Sequence, residues 1–113
     1  MNLESHLRAQ RSAGRKLLVP YVTGGLLNWK EAIRVAAACG ADAIEVGIPF
    51  SDPVMDGPVI QEASLRALKD GATPFGIIQE ISTLEIDIPI AVMLYYNTVF
   101  RAGHERFATS LVK

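Results

Sequence analysis

A carboxylate near the carboxyl end of a buried strand is the first place where this chain could do chemistry. In the run Asp42-Ala43-Ile44-Glu45-Val46-Gly47 the side chains alternate between two faces. Ala43, Glu45 and Gly47 therefore share one side, and Asp42, Ile44 and Val46 the other. Glu45 stands between small residues that leave it room. A carboxyl group so placed can give and take a proton, because parallel α/β folds build their sites at the carboxyl ends of strands. A buried Glu paired with a neighbouring Lys or Arg, or one that reaches water, fits the same pattern.

Two further carboxylates follow in a stiff loop. Residues 47–58 hold three prolines, two glycines and two aspartates, Asp52 and Asp56, in twelve positions. Proline restricts both itself and the residue before it, so the loop is narrowed before any ligand arrives, and a pre-positioned carboxylate loses less entropy on binding. The same composition also suits a turn-rich surface loop in which Asp52 and Asp56 make Asx turns.

The elements that must hold these groups are read from periodicity. Leu3, Leu7 and Ala13 among Glu4, Arg8, Gln10 and Arg11 give a short amphipathic helix stopped at Gly14, suited to act as a lid or plug. Residues 17–23 are an apolar run ending at Gly24-Gly25 and read as a buried strand, with Pro20 removing one ladder donor. Asn28 with Glu31 three residues on reads as a capping box, opening a helix whose stripe is Ile33, Val35, Ala36, Ala37 and Cys39, up to Gly40. Residues 43–48 form the second strand, 49–58 the loop, and 59–69 a helix stopped at Gly71. Thr73-Pro74 opens another helix carrying Ile77, Ile78 and Ile81, with Thr73 as N-cap. Residues 88–95 are a third strand, and residues 103–113 are helical. Three βα units in series predict a parallel sheet. The last helix reaches Lys113 without a C-cap signal, which predicts a chain that continues.

Composition bounds the function. One hundred and thirteen residues make one domain, 50% hydrophobic and 20% charged, as expected of a packed globule. Eleven Lys and Arg against twelve Asp and Glu give a net charge of −1, so the basic footprint of a nucleic-acid or anionic-membrane binder is missing. The single cysteine, Cys39, and two distant histidines, His6 and His104, do not suggest a metal site. The opening residues carry an acid and no apolar stretch, and no apolar run approaches the roughly 18 needed to span a bilayer. A cytoplasmic protein acting on a small molecule is the expectation.

The segment Glu45-Val-Gly-Ile-Pro-Phe-Ser-Asp-Pro-Val-Met-Asp56-Gly-Pro-Val-Ile-Gln61 resembles the signature of the tryptophan synthase α chain family, which pairs a strand-end Glu with a loop Asp eleven residues later. Pro20-Tyr-Val-Thr-Gly resembles the family's first strand, and Met93-Leu-Tyr-Tyr-Asn97-Thr-Val-Phe100 its third strand and following loop. Met55 departs from the alanine many members carry. The resemblance implies an α/β fold comprising the N-terminal three βα units of a (β/α)₈ TIM barrel, preceded by a short N-terminal helix. Residues 1–113 would then be a partial barrel domain, since such barrels need about 250 residues. The family's later strands and glycine-rich phosphate cradle have no counterpart here.

The resemblance also implies a reaction: a lyase of tryptophan biosynthesis that cleaves indole-3-glycerol phosphate to indole and glyceraldehyde 3-phosphate. By resemblance Glu45 is the proton donor and acceptor, and Asp56 holds the indole N–H. Tyr21 and Met93 fall where the family lines its apolar indole pocket, and Tyr95 near it, all three as substrate-binding residues. Asp52, Pro53 and Asn97 match positions that face a tryptophan synthase β chain, in an α-β-β-α tetramer. Pyridoxal phosphate is expected only in that partner, and no cofactor or metal in this chain. Without the phosphate cradle the chain is expected to be inactive alone. Two alternatives remain: a truncated, non-catalytic α-like module that binds or regulates a β chain, and a different phosphate-handling (β/α)₈ enzyme sharing this first half.

Overall fold

A computed structural model describes residues 2–112. The element order is α1 (Leu3–Ser12), β1 (Tyr21–Thr23), α2 (Trp29–Ala38), β2 (Ile44–Gly47), α3 (Pro58–Lys69), α4 (Pro74–Ser82), β3 (Ile90–Met93), α5 (Tyr96–Ala102) and α6 (His104–Val112). The strands form one parallel sheet in the order β1-β2-β3, as the serial βα reading requires. The expected helix over residues 103–113 is found as α6, except that Lys113 lies outside the described residues.

Register divides the sheet into two faces. Val22, Val46 and Val92 lie side by side, as do Ile44 and Ile90. This face joins Trp29 and Ile33 of α2, Ile77 and Ile78 of α4 and Phe107 of α6 in one apolar core. Ile33, Ile44 and Val46 are fully buried, each contributing roughly 1.5–3 kcal/mol. Exposed pairs such as Arg8–Glu4 and Arg66–Glu62 contribute about 0–1 kcal/mol each, so the apolar rows hold the helices to the sheet. The opposite face carries Tyr21, Glu45 and Ala91 in one row and Thr23, Gly47 and Met93 in the next.

Several elements differ from their sequence reading. The first strand begins at Tyr21 rather than residue 17, and Leu17, Leu18 and Val19 are exposed. Pro20 has no N–H and serves only as acceptor, from the Glu45 N–H at 2.9 Å. The α2 capping box does not form: Asn28 sits at φ 61°, left-handed, where a side chain does not fold over the first turn, and it makes no cap bond. The buried face of α2 is Trp29 and Ile33, with Ala36 and Ala37 half-buried, while Val35 and Cys39 are exposed. No residue of α1 is buried; Leu7 is half-buried, and with Leu3 it lines a groove that Leu17 completes. The Thr73 cap is present, its hydroxyl accepting from the Gly76 N–H at 3.1 Å.

Candidate functional site

At the carboxyl ends of β2 and β3 a cavity of about 170 Å³ is lined by Tyr21, Gly47, Met55, Asp56, Met93 and Tyr95, together with Ile48, Ser64 and Leu94. Parity explains three of these residues. Tyr21, Gly47 and Met93 stand on the face that also carries Glu45, and Tyr21 pairs with Glu45 across the β1–β2 ladder. Gly47 is required for that arrangement, because a Cβ there would run into the Tyr21 ring and hydroxyl. The small residue lets the aromatic ring lie across the end of β2.

The loop from β2 to α3 delivers Asp56. The ladder persists one residue beyond β2, with the Ile48 N–H donating to the Met93 carbonyl at 2.9 Å. Phe50 then stacks on Tyr95, ring centroids 5.4 Å apart. Turns close on backbone acceptors, Val54 N–H to Asp52 O at 2.9 Å and Asp56 N–H to Pro53 O at 3.3 Å. The Gln61 amide reaches back to donate to Asp56 O at 2.7 Å and Pro53 O at 3.4 Å. The Met55 N–H donates to the Tyr95 hydroxyl at 2.9 Å. Pro58 starts α3 at its first turn, where a missing N–H costs no helix bond.

The two loop aspartates are treated differently, and neither makes an Asx turn. The Asp52 carboxylate is exposed and accepts from the Ser51 hydroxyl at 2.9 Å. The Asp56 carboxylate is half-buried on the cavity wall and, among the described residues, accepts no hydrogen bond. Glu45 is half-buried between the buried Ala43 and Gly47, and its carboxylate too has no hydrogen-bond or ion-pair partner among the described residues. It is not one of the cavity's lining residues. It lies one register row deeper than Gly47, toward the middle of the strand.

The structure thus brings Tyr21, Asp56, Met93 and Tyr95 to one cavity, with Glu45 on the same sheet face one register row from Gly47. Asp52 and the half-buried Pro53 sit on the outer side of the loop, and Asn97 is exposed on the first turn of α5. Four contributors escaped the sequence reading: Gly47 beneath Tyr21, Phe50 against Tyr95, the buried Ser64, and Gln61 clamping the loop. Gln61 had a signal, since a long amide one turn into a helix can bond the carbonyls of the loop before it. The other contacts depend on register or join segments far apart in sequence.

A larger open groove of about 630 Å³ lies between α2 and α4, bordered by Lys30, Arg34, Asp70 and Glu80. Lys30 and Glu80 approach to 3.6 Å there, and none of the carboxylates Glu45, Asp52 or Asp56 reaches it. A groove of about 810 Å³ beside α1, lined by Leu3, Leu7 and Leu17, is larger still, but convergence of polar groups with an apolar wall at strand ends favours the smallest of the three. Among the described residues no group of three or more His, Cys, Asp or Glu could hold a metal, and no helix is long and apolar enough to cross a membrane.

Residues 7–113 match the family model described as tryptophan synthase alpha chain. Among curated relatives, the tryptophan synthase alpha chain of Streptococcus pneumoniae (strain ATCC 700669 / Spain 23F-1) is 42% identical over 114 residues, covering 96% of this chain and 44% of the relative. Among solved structures, tryptophan synthase from M. tuberculosis superposes with a TM-score of 0.85 at 33% identity, covering 97% of this chain and 46% of the other. The tryptophan synthase alpha chain from Legionella pneumophila gives 0.84 at 30% identity, covering 99% and 44%. The chain therefore spans less than half the length of the curated relatives it matches.

Proposed function

The chain belongs to the tryptophan synthase alpha chain family, and from that premise we propose that its residues serve the lyase reaction in which indole-3-glycerol phosphate is cleaved to indole and glyceraldehyde 3-phosphate. The observation that carries this reading is the cavity at the strand ends. It joins a half-buried, unpartnered Asp56 to the apolar and aromatic surfaces of Met93, Tyr21 and Tyr95, directly above the strand that holds Glu45.

The chemistry asks for two carboxyl groups with different duties. The bond from indole C3 to the glycerol chain breaks heterolytically, so C3 must gain a proton and the adjacent hydroxyl must lose one. Glu45 in its acid form gives its proton to C3. As the carbon–carbon electron pair returns to the ring, the hydroxyl oxygen forms the aldehyde and its proton passes to Glu45, which ends as it began. Positive charge on the ring nitrogen is greatest while C3 is protonated, and the Asp56 carboxylate accepts the N–H and opposes that charge. Tyr21 and Met93 exclude water from the ring faces, which strengthens both interactions.

Asp52, Pro53 and Asn97 lie outside the cavity, on the surfaces of the loop and α5, and in this reading they meet a β chain in the α-β-β-α assembly. Exposed apolar neighbours, Val54, Met55 and Val59 around the loop and Tyr96 and Phe100 on α5, support a buried role for that surface in an assembly. Pyridoxal phosphate belongs to the β chain. The test is indole release by the native polypeptide that carries these residues. Glu45→Gln keeps shape but cannot cycle a proton, and turnover should fall roughly 10²- to 10⁴-fold. More than one tenth of wild-type turnover would remove Glu45 from this role.

A further inference from the structure

Asp56 has no hydrogen bond to its carboxylate among the described residues; Gln61 and Pro53 hold its backbone, and one residue far away in sequence ties the loop on either side of that hold. Tyr95 is the N-cap of α5, two residues after the last residue of β3, with extended backbone at φ −75° and ψ 140°. Its ring stacks on Phe50 at an interplanar angle of 29°, near the start of the loop, and its hydroxyl accepts the Met55 N–H, one residue before Asp56. The loop is therefore held at both ends by a single side chain rooted in a different βα unit. Met55 itself touches the cavity only at its rim and is 85% exposed. A backbone amide at so exposed a point bonds water as readily as protein, so the Tyr95 hydroxyl selects one loop conformation among several.

We infer that Tyr95, besides lending its ring to the cavity wall, is a positioning residue for Asp56, its hydroxyl acting through the Met55 amide and its ring through Phe50. This rests on the proposed role of Asp56. Its physical basis is that a reacting group displaced by about 1 Å can lose on the order of 10²-fold in rate. Tyr95 also begins the helix whose first turn exposes Tyr96 and Asn97, so a shift of α5 moves the hydroxyl that holds the loop.

Tyr95→Phe removes the hydroxyl and keeps the ring, and it separates the possibilities in the native polypeptide carrying these residues. Amide exchange at Met55 should quicken about tenfold or more, while exchange in the β2 ladder stays unchanged. Cleavage should lose about tenfold in kcat with KM nearly constant. In an Asp56→Asn background the same change should cost less than twofold, because the group it positions is already disabled. An additive loss in that cycle, a KM that rises in step with the lost activity, or an unchanged Met55 amide would each overturn the inference. If the wild-type protein cleaves no indole-3-glycerol phosphate, the functional reading fails instead, and the Met55 exchange arm alone decides whether the hydroxyl holds the loop.

Discussion

The two ends of the sheet use the same side chain in opposite ways. Where β2 is entered, Asp42 is 3% exposed, and its carboxylate accepts from the Leu18 N–H at 2.8 Å and pairs with Arg15 at 3.0 Å. Arg15 also donates to the Gly40 carbonyl at 3.2 Å, so the extended segment before β1 is tied to the strand beside it. Beyond it, Glu45 within β2 and Asp56 in the loop that follows have no such partners among the described residues, and the loop is held by neutral groups: an amide from Gln61 and a phenol from Tyr95. A saturated carboxylate fixes structure, and an unsaturated one keeps its lone pairs for a ligand. Barrel folds divide labour between the two ends of their strands in this manner.

The sharpest test of that division is to neutralise one aspartate at each end. Asp56→Asn should reduce indole release by roughly 10²-fold or more while moving stability by less than about 0.5 kcal/mol, since no protein partner is lost. Urea unfolding beside a turnover assay measures both. A loss approaching the roughly 2–3 kcal/mol expected for Asp42→Ala would show that Asp56 also supports the loop. Asp42→Ala should do the reverse, costing about 2–3 kcal/mol because the Leu18 N–H and the Arg15 guanidinium lose a charged acceptor. Arg15 is 51% exposed and finds water, which keeps the loss below that of a fully buried pair. Turnover per folded molecule should be unchanged, and a lowered kcat in the folded fraction would break the comparison.

Much of this division was legible in the sequence, but unevenly. Strand parity placed Glu45 among small residues without any structure, because a period of two holds wherever a strand pairs. Thr73-Pro74 announced its helix through a cap that bonds locally. Residues 17–19 misled, since an apolar run has the same composition whether or not it joins a ladder. Helix α5 leaves no signal because Thr98, Val99 and Phe100 favour extended backbone, and Gly103, at φ 93°, reads as the start of a helix when it separates two. The Asx turns failed for a related reason. Which group closes a loop depends on what lies across it, and the Tyr95 hydroxyl comes from 40 positions away along the chain.

The smallest effect should come from Asp52, and it tests whether the loop itself has two sides. Its carboxylate lies four residues before Asp56 in the same stiff turn, but it is exposed and, among the described residues, bonded only to the Ser51 hydroxyl. Asn keeps an acceptor for that hydroxyl and removes the charge alone. Intrinsic cleavage should therefore remain within about twofold of wild type, because charge at an exposed position is screened over roughly 8 Å at physiological salt. Affinity for the β chain, and the stimulation it gives, should weaken several-fold at low salt and much less at high salt, as expected of a charge at an interface rim. Titrating a β chain into both proteins at two ionic strengths measures this. Unchanged affinity and coupling would remove Asp52 from the docking surface. A loss of intrinsic turnover approaching that of Asp56→Asn would mean that the loop responds as one unit and that its outer face cannot be separated from its inner one.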